Sequence, residues 1–153
     1  MVANDSDKLT VVQAVGEPAI DQVRELLRDY AADRGFDLSF QDFQHELIGL
    51  PGQYALPHGR LLLACVDGQP VGCAALRRIA PNACELKHLY IRPESRGQGI
   101  GRQLAVAAIE AARQIGYRHV RLDITASMSA AISLSRSLGF RELGPHSLEL
   151  TLA

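Results

Sequence analysis

No run of apolar residues in this sequence approaches the length that crosses a bilayer, so no membrane partner is expected. There is no basic excess either. Sixteen Lys and Arg stand against seventeen Asp and Glu, a formal net charge of −1. Such a balance does not point to nucleic acid as a partner, and any affinity for an anion has to be local. Cysteine is scarce. Cys65, Cys73 and Cys84 form no C-x-x-C pair, and the odd count reads as reduced thiols of a cytoplasmic protein, small and buried. The stretch MVANDSDKLT is polar and acidic, unlike a signal peptide. His45, His58, His88, His119 and His146 are scattered without H-x-x-x-H spacing, so no metal is expected. Repeats, low-complexity segments and linkers are missing, and 153 residues suit one domain, 1–153, with one core.

What is there concentrates between Glu85 and Gly116, ELKHLYIRPESRGQGIGRQLAVAAIEAARQIG. Leu86, Leu89 and Ile91, with Tyr90, suit a largely buried strand. Pro93 ends it, having no N–H for a ladder. Arg96, Gly97, Gln98, Gly99, Ile100 and Gly101 then form a glycine-rich turn. Leu104, Ala108, Ala111 and Ile115 follow at helical spacing, and Gly116 sits where a left-handed cap belongs. The first N–H groups of a helix lack internal partners and the dipole there is positive, so glycines that bare the backbone make an anion site. A tight connection with no ligand is the other reading. Arg96 and Arg102 weigh toward an anion. The Rossmann pattern fails because Arg102 stands at its third glycine, and no Gly-Lys-Ser/Thr makes a P-loop.

The rest of the chain alternates simply. Leu9–Val15 reads as a strand. Glu17 and Pro18 start a helix with Ile20, Val23, Leu26, Leu27 and Tyr30 on one face, ending at Gly35. Ser39 caps a second, with Phe40, Phe43, Leu47 and Ile48 apolar. Leu50 to Gly59, LPGQYALPHG, is a loop. Strands at Arg60–Val66 and Pro70–Ile79 join through Asp67-Gly68, a hairpin signal. With the Glu85 strand they make an antiparallel meander. Arg118–Ile124 is a strand parallel to the Glu85 strand, as a strand-helix-strand unit requires. Ser127 or Ser129 caps a helix with Ala131, Leu134 and Leu138, closed by Gly139. Phe140–Leu143 and Ser147–Leu152 are the last strands.

R-x-x-G-x-G at Arg96, Gly99 and Gly101, after L-Y-I-R-P-E and before S-L-G-F, resembles the GNAT superfamily of acetyl-CoA-dependent N-acetyltransferases. The resemblance implies an α/β fold: a mixed, mostly antiparallel sheet with a splayed parallel pair, flanked by helices. It implies acetyl-CoA as co-substrate. Its pyrophosphate would lie on Arg96, Gly97, Gln98, Gly99, Ile100, Gly101 and Arg102, and its pantetheine along Leu89, Tyr90 and Ile91. The implied reaction moves the acetyl group to a primary amine of a small molecule, by direct attack in a ternary complex. Two alternatives stay open, a catalytically weak acyl-CoA-binding module and a protein or peptide N-acetyltransferase. A homodimer is left open too.

The chemistry asks for three things: a base for the amine, donors for the carbonyl oxygen and a proton for the departing thiolate. Glu85 is the first candidate base, against an ion pair with Lys87 or an arginine. The resemblance assigns the oxyanion donor to backbone N–H near Leu89. Asp123 either binds the amine or pairs with an arginine. The family's usual acid, a tyrosine in the helix before Gly139-Phe140, is here Ser135, a shorter and weaker acid, and Met128 stands where an asparagine is frequent. Tyr54 and His58 are placed by position in the acceptor pocket, against simple exposure to solvent. Cys84 with His88 is a further, coincidental pairing to weigh.

Overall fold

The computed structural model describes residues 9–33, 41–123, 129–145 and 147–152. The strands are β1 Leu9–Gln13, β2 Arg60–Val66, β3 Gln69–Ala80, β4 Ala83–Ile91, β5 His119–Asp123, β6 Arg141–Gly144 and β7 Ser147–Thr151. They form one sheet in the order β1-β2-β3-β4-β5-β7-β6. The described α-helices are α1 Ala19–Asp33, α2 Gln41–Ile48, α3 Ile100–Ile115 and α4 Ser129–Ser137. Element types and order match the expectation. β4 and β5 are the parallel pair; the other neighbours run antiparallel. β1 stops at Gln13, and the buried Ala14 still donates to the Leu61 carbonyl at 2.7 Å before the chain leaves the sheet at the exposed Val15. The expected helix end at Gly35, the cap at Ser39, and Ile124, Ser127 and Met128 lie outside the described residues.

β2 is buried on both faces, which its unbroken apolar run predicts. Leu62 and Ala64 pack under α3 with Leu76, Leu86 and Val120. Leu61, Leu63 and Cys65 pack on the opposite face, with Val23, Leu26 and Leu27 of α1. α3 buries Leu104, Ala108 and Ala112 fully, four residues apart and so on one helical face. The alanines let the helix approach the sheet, and Leu104, fully buried, contributes about 1.5–3 kcal/mol. Asp67 and Gly68 both have positive φ, as a type I′ hairpin turn between β2 and β3 requires.

Two departures from a regular sheet open the middle. β4 and β5 pair only through Ala83–His119, Cys84–Val120 and Glu85–Arg121. Beyond Glu85, β4 stays on β3 and β5 stays on β7, so a wedge opens toward their C-terminal ends. The second departure is a bulge. β3 pairs Ala75 with Lys87 but Cys73 with Tyr90, leaving His88 and Leu89 opposite Ala74 alone. Bulges of this kind bend a strand and re-aim its side chains. His88 takes φ 59, in the left-handed region. Cys84 and Leu86 face α3 before the bulge, and Leu89 and Ile91 face it afterwards. Tyr90 faces α1. His88 is thereby turned to the α1 and α2 face, against the rings of Tyr30, Phe43 and Tyr54.

Candidate active site

The N-terminus of α3 stands at the mouth of the wedge. Gly97 and Gly99 have φ 82 and 80, conformations that a side chain would strain, and Gly99 is the N-cap. The first backbone N–H to find an acceptor is that of Gln103, on the Gly99 carbonyl at 3.1 Å. Among the described residues the N–H groups of 97 to 102 make no backbone hydrogen bond. Gly101 adds space: a Cβ there would lie 3.7 Å from Ile91 and 3.8 Å from Leu134. Arg102 reaches across to Ser137 Oγ at 3.1 Å. Arg96 donates through Nε to the Ile91 carbonyl at 3.0 Å, and its guanidinium lies 5.8 Å from the Tyr90 ring centroid. These amides, two guanidiniums and the edge of β4 beyond Glu85, unpaired with β5 among the described residues, fit a pyrophosphate carrying an extended amide-containing chain. Leu89 and Ile91 anchor that strand from behind, packed on the α3 core.

The opposite side of β4 carries a polar cluster. His88 Nε2 and the Tyr54 hydroxyl both donate to Glu46 Oε1 from α2. Burial would push the Glu46 carboxyl up, but hydrogen bonds from His88 and Tyr54 and the charges of His88 and Lys87 outweigh it and hold the group at about 2. Burial and the same carboxylate push the Tyr54 phenol far up, so it stays a donor. Glu85 is buried and pairs with Arg77 Nε at 2.7 Å, the arginine alternative to a base. Arg77 Nη1 also donates to Gln53 Oε1 at 3.0 Å.

The expected substrate residues separate. Tyr54 is buried at 1% exposure, which corrects the reading of it as a solvent-exposed loop residue. Its helical turn, Gly52–Tyr54, is pressed so closely on Gly59 that a Cβ there would meet Tyr54 backbone at 2.6 Å. His58 is exposed, beside Arg78 at the closed end of the β4–β5 pair, and its carbonyl accepts from the Tyr117 hydroxyl at 2.6 Å. Asp123 ends β5 at the wedge, exposed and without an ion pair among the described residues, while Arg121 pairs with Glu149 instead. Ser135 is 4% exposed, and its hydroxyl has no hydrogen-bond partner among the described residues. Its carbonyl accepts from Phe140, closing α4 around Gly139 with φ 102. Cys84 and His88 face opposite sides of the sheet. The Cys84 thiol, pushed up to about 12 by burial, donates to the His119 carbonyl.

Glu46 and His88 were not paired in the sequence reading. One signal was available: apolar residues at 84 and 86, then at 89 and 91, shift phase by one, which marks a bulge between them. Nothing in the sequence brings residue 46 to it.

The acetyltransferase (GNAT) family model matches residues 20–140. An uncharacterized N-acetyltransferase of Schizosaccharomyces pombe is 35% identical over 129 residues, 83% of this chain and 79% of that protein. A crystal structure of an acetyltransferase from Streptococcus agalactiae superposes with a TM-score of 0.82 at 17% identity, over 95% of this chain and 99% of that one. A putative acetyltransferase from Salmonella typhimurium, solved with its cofactor acetyl-CoA, superposes with a TM-score of 0.68 at 21% identity, over 95% of both chains.

Proposed function

Because the chain belongs to the GNAT family of acetyltransferases, we propose that it moves the acetyl group of acetyl-CoA to a primary amine of a small molecule, by direct attack in a ternary complex. The observation that carries this is the wedge between β4 and β5, opened beyond Glu85 and Arg121 and headed by the bare N–H groups of α3. Acetyl-CoA supplies an activated acyl group, so no covalent bond to the protein is needed. The amides of 97 to 102 with Arg96 and Arg102 hold the pyrophosphate, and the β4 edge through Leu89, Tyr90 and Ile91 holds the extended arm. The Leu89 N–H, freed from strict register by the bulge, donates to the carbonyl oxygen.

A small acceptor is supported by the 50–59 loop. Tyr54 is buried in the core, Gln53 is bonded to Arg77, and the His58 carbonyl to Tyr117. The loop is thus tied down over the sheet on the Glu85 side, where a peptide would need an open groove. Asp123, exposed at the rim of the wedge, is available for a cationic amine. The three buried thiols suit a reducing cytoplasm.

The test is an amine panel with acetyl-CoA and a thiol-release readout, alongside calorimetric titration of acetyl-CoA. Turnover on small amines supports the proposal. Ser135 favours a second reading, a weak acyl-CoA binder, because a serine there is a poor acid for the leaving thiolate. Acetyl-CoA binding without turnover on any amine would select that reading.

A further inference from the structure

His88 has two ring nitrogens in different circumstances. Nε2 is bonded to Glu46, whose carboxyl is held at about 2, so near neutral pH the carboxylate can only accept. The proton between them is therefore on Nε2. A neutral imidazole has one N–H, so its lone pair lies on Nδ1. Nδ1 has no hydrogen-bond partner among the described residues, although the side chain is only 11% exposed. Polar atoms so nearly buried are paired in the great majority of cases, and an orphan calls for a reason. The surroundings hold the ring rather than occupy that nitrogen. Tyr30 and Phe43 meet it edge-on with centroids 6.3 and 6.4 Å away, and Tyr54 does so at 6.0 Å while fixing Glu46. The backbone is committed as well, since His88 holds a left-handed conformation that a non-glycine residue adopts only at a cost.

Resting on the transferase reading above, we infer that His88 Nδ1 accepts the proton of the attacking amine, with Glu46 and Tyr54 setting the tautomer and orientation of the ring. His88 adjoins Leu89, whose N–H that reading assigns to the acetyl carbonyl oxygen, and both stand in the bulge at the wedge. The amine nitrogen forms a bond to the carbonyl carbon and gives one proton to Nδ1. The carbon–sulfur bond breaks, its electron pair leaves on sulfur, and the sulfur takes up a proton from solvent. The products are an amide and a free thiol, and the imidazolium returns its proton to water. Base, orienting carboxylate and donor to that carboxylate make the same chain of roles that activates nucleophiles elsewhere.

Other titratable groups bear on the ring from each side. Tyr30 lies on α1, and the Cys73 thiol on β3 donates to the His88 carbonyl. Lys87 acts on Glu46, and the Arg77–Glu85 pair acts on Tyr54. Two measurements separate His88 from these. The first is the pH profile of kcat/KM for wild type, His88→Gln and His88→Asn, the asparagine chosen because it tolerates the left-handed conformation. The variants should bind acetyl-CoA with wild-type affinity, lose about 10²–10⁴-fold in kcat/KM, and lose the acid limb of the profile. The second is nitrogen NMR of histidine-labelled protein, with the His88 signals assigned by their loss in the variants. Above neutral pH, Nε2 should be protonated and Nδ1 bare, and Glu46→Gln should give a mixture of tautomers. If both variants keep the rate and the acid limb, or if the proton sits on Nδ1 in an active enzyme, this inference is overturned and the transferase reading stands. A wild type that binds acetyl-CoA and acetylates no amine overturns both.

Discussion

Arg77 and Glu85 face each other across β3 and β4, in register, with Nε and Oε1 2.7 Å apart. The carboxylate side chain is 8% exposed and the guanidinium 29%. The two halves should therefore differ in cost when removed. Arg77→Met leaves a buried charge unpaired and should lose about 2–4 kcal/mol. Glu85→Gln keeps an acceptor oxygen and should lose about 1 kcal/mol. Urea unfolding of both variants measures this, and the reverse order would show that the bridge does not shelter Glu85.

Gly101 and Gly99 should fail differently. Gly99 is left-handed, so Gly99→Ala strains the backbone and should cost about 1 kcal/mol of stability. A Cβ at residue 101 meets only ordinary contacts with Ile91 and Leu134. Gly101→Val should fold normally and hinder approach to the free amides. Losing one or two such hydrogen bonds, about 1–3 kcal/mol, weakens acetyl-CoA roughly 10–100-fold. Unchanged affinity by calorimetry in a folded Gly101→Val protein would remove this turn from the cofactor site.

Arg96 and Arg102 are exposed, so their attraction for a polyanion is open to screening. Acetyl-CoA affinity should fall as salt rises, over a Debye length of about 10 Å at 0.1 M. Arg102→Ala should weaken binding and flatten that dependence. A titration insensitive to salt in wild type contradicts the electrostatic role.

Glu46 titrates at about 2 in the folded protein, against an ordinary 4.5. Its stabilising contribution is complete above that ordinary value and is lost as pH falls from there toward 2. The amount is on the order of 1–3 kcal/mol. Wild type should lose stability across this window more steeply than Glu46→Gln. Parallel curves from denaturant unfolding at successive pH values would mean that His88 and Tyr54 do not hold the carboxylate as described.

Ser135 is buried and its hydroxyl has no hydrogen-bond partner among the described residues, so Ser135→Ala should leave stability unchanged or raise it by up to about 1 kcal/mol. Ser135→Tyr forces a ring into a packed position and should cost about 1–3 kcal/mol. Thermal unfolding decides. A tyrosine accepted without cost would mean that the space is open, and then a gain in kcat at neutral pH is the expected companion.

Much of this architecture was legible because local rules and burial agree. β2 reads as a strand from an unbroken apolar run, α3 as a helix from its four-residue spacing, and the link between β4 and α3 as a tight turn from its glycines. The one parallel pair follows from the helix between β4 and β5. The proposed cofactor site was legible because a single segment carries it. Residues 89–102 are contiguous, and the structure brings them to one place.

The polar cluster was not legible. Strict alternation puts His88 with Cys84 and Leu86, toward α3. The bulge turns it to the other face, where α2 delivers Glu46 and the 50–59 loop delivers Tyr54. The same fold leaves His58 at the closed end of the sheet and Cys84 on the far side from His88. Sequence by itself determined the elements, their order and the glycine-rich turn before α3, since each depends on residues a few positions apart. Which face His88 occupies, and which carboxylate meets it, was decided by the tertiary structure alone. Both depend on a strand register and on contacts forty-two residues apart, and chain periodicity does not encode either.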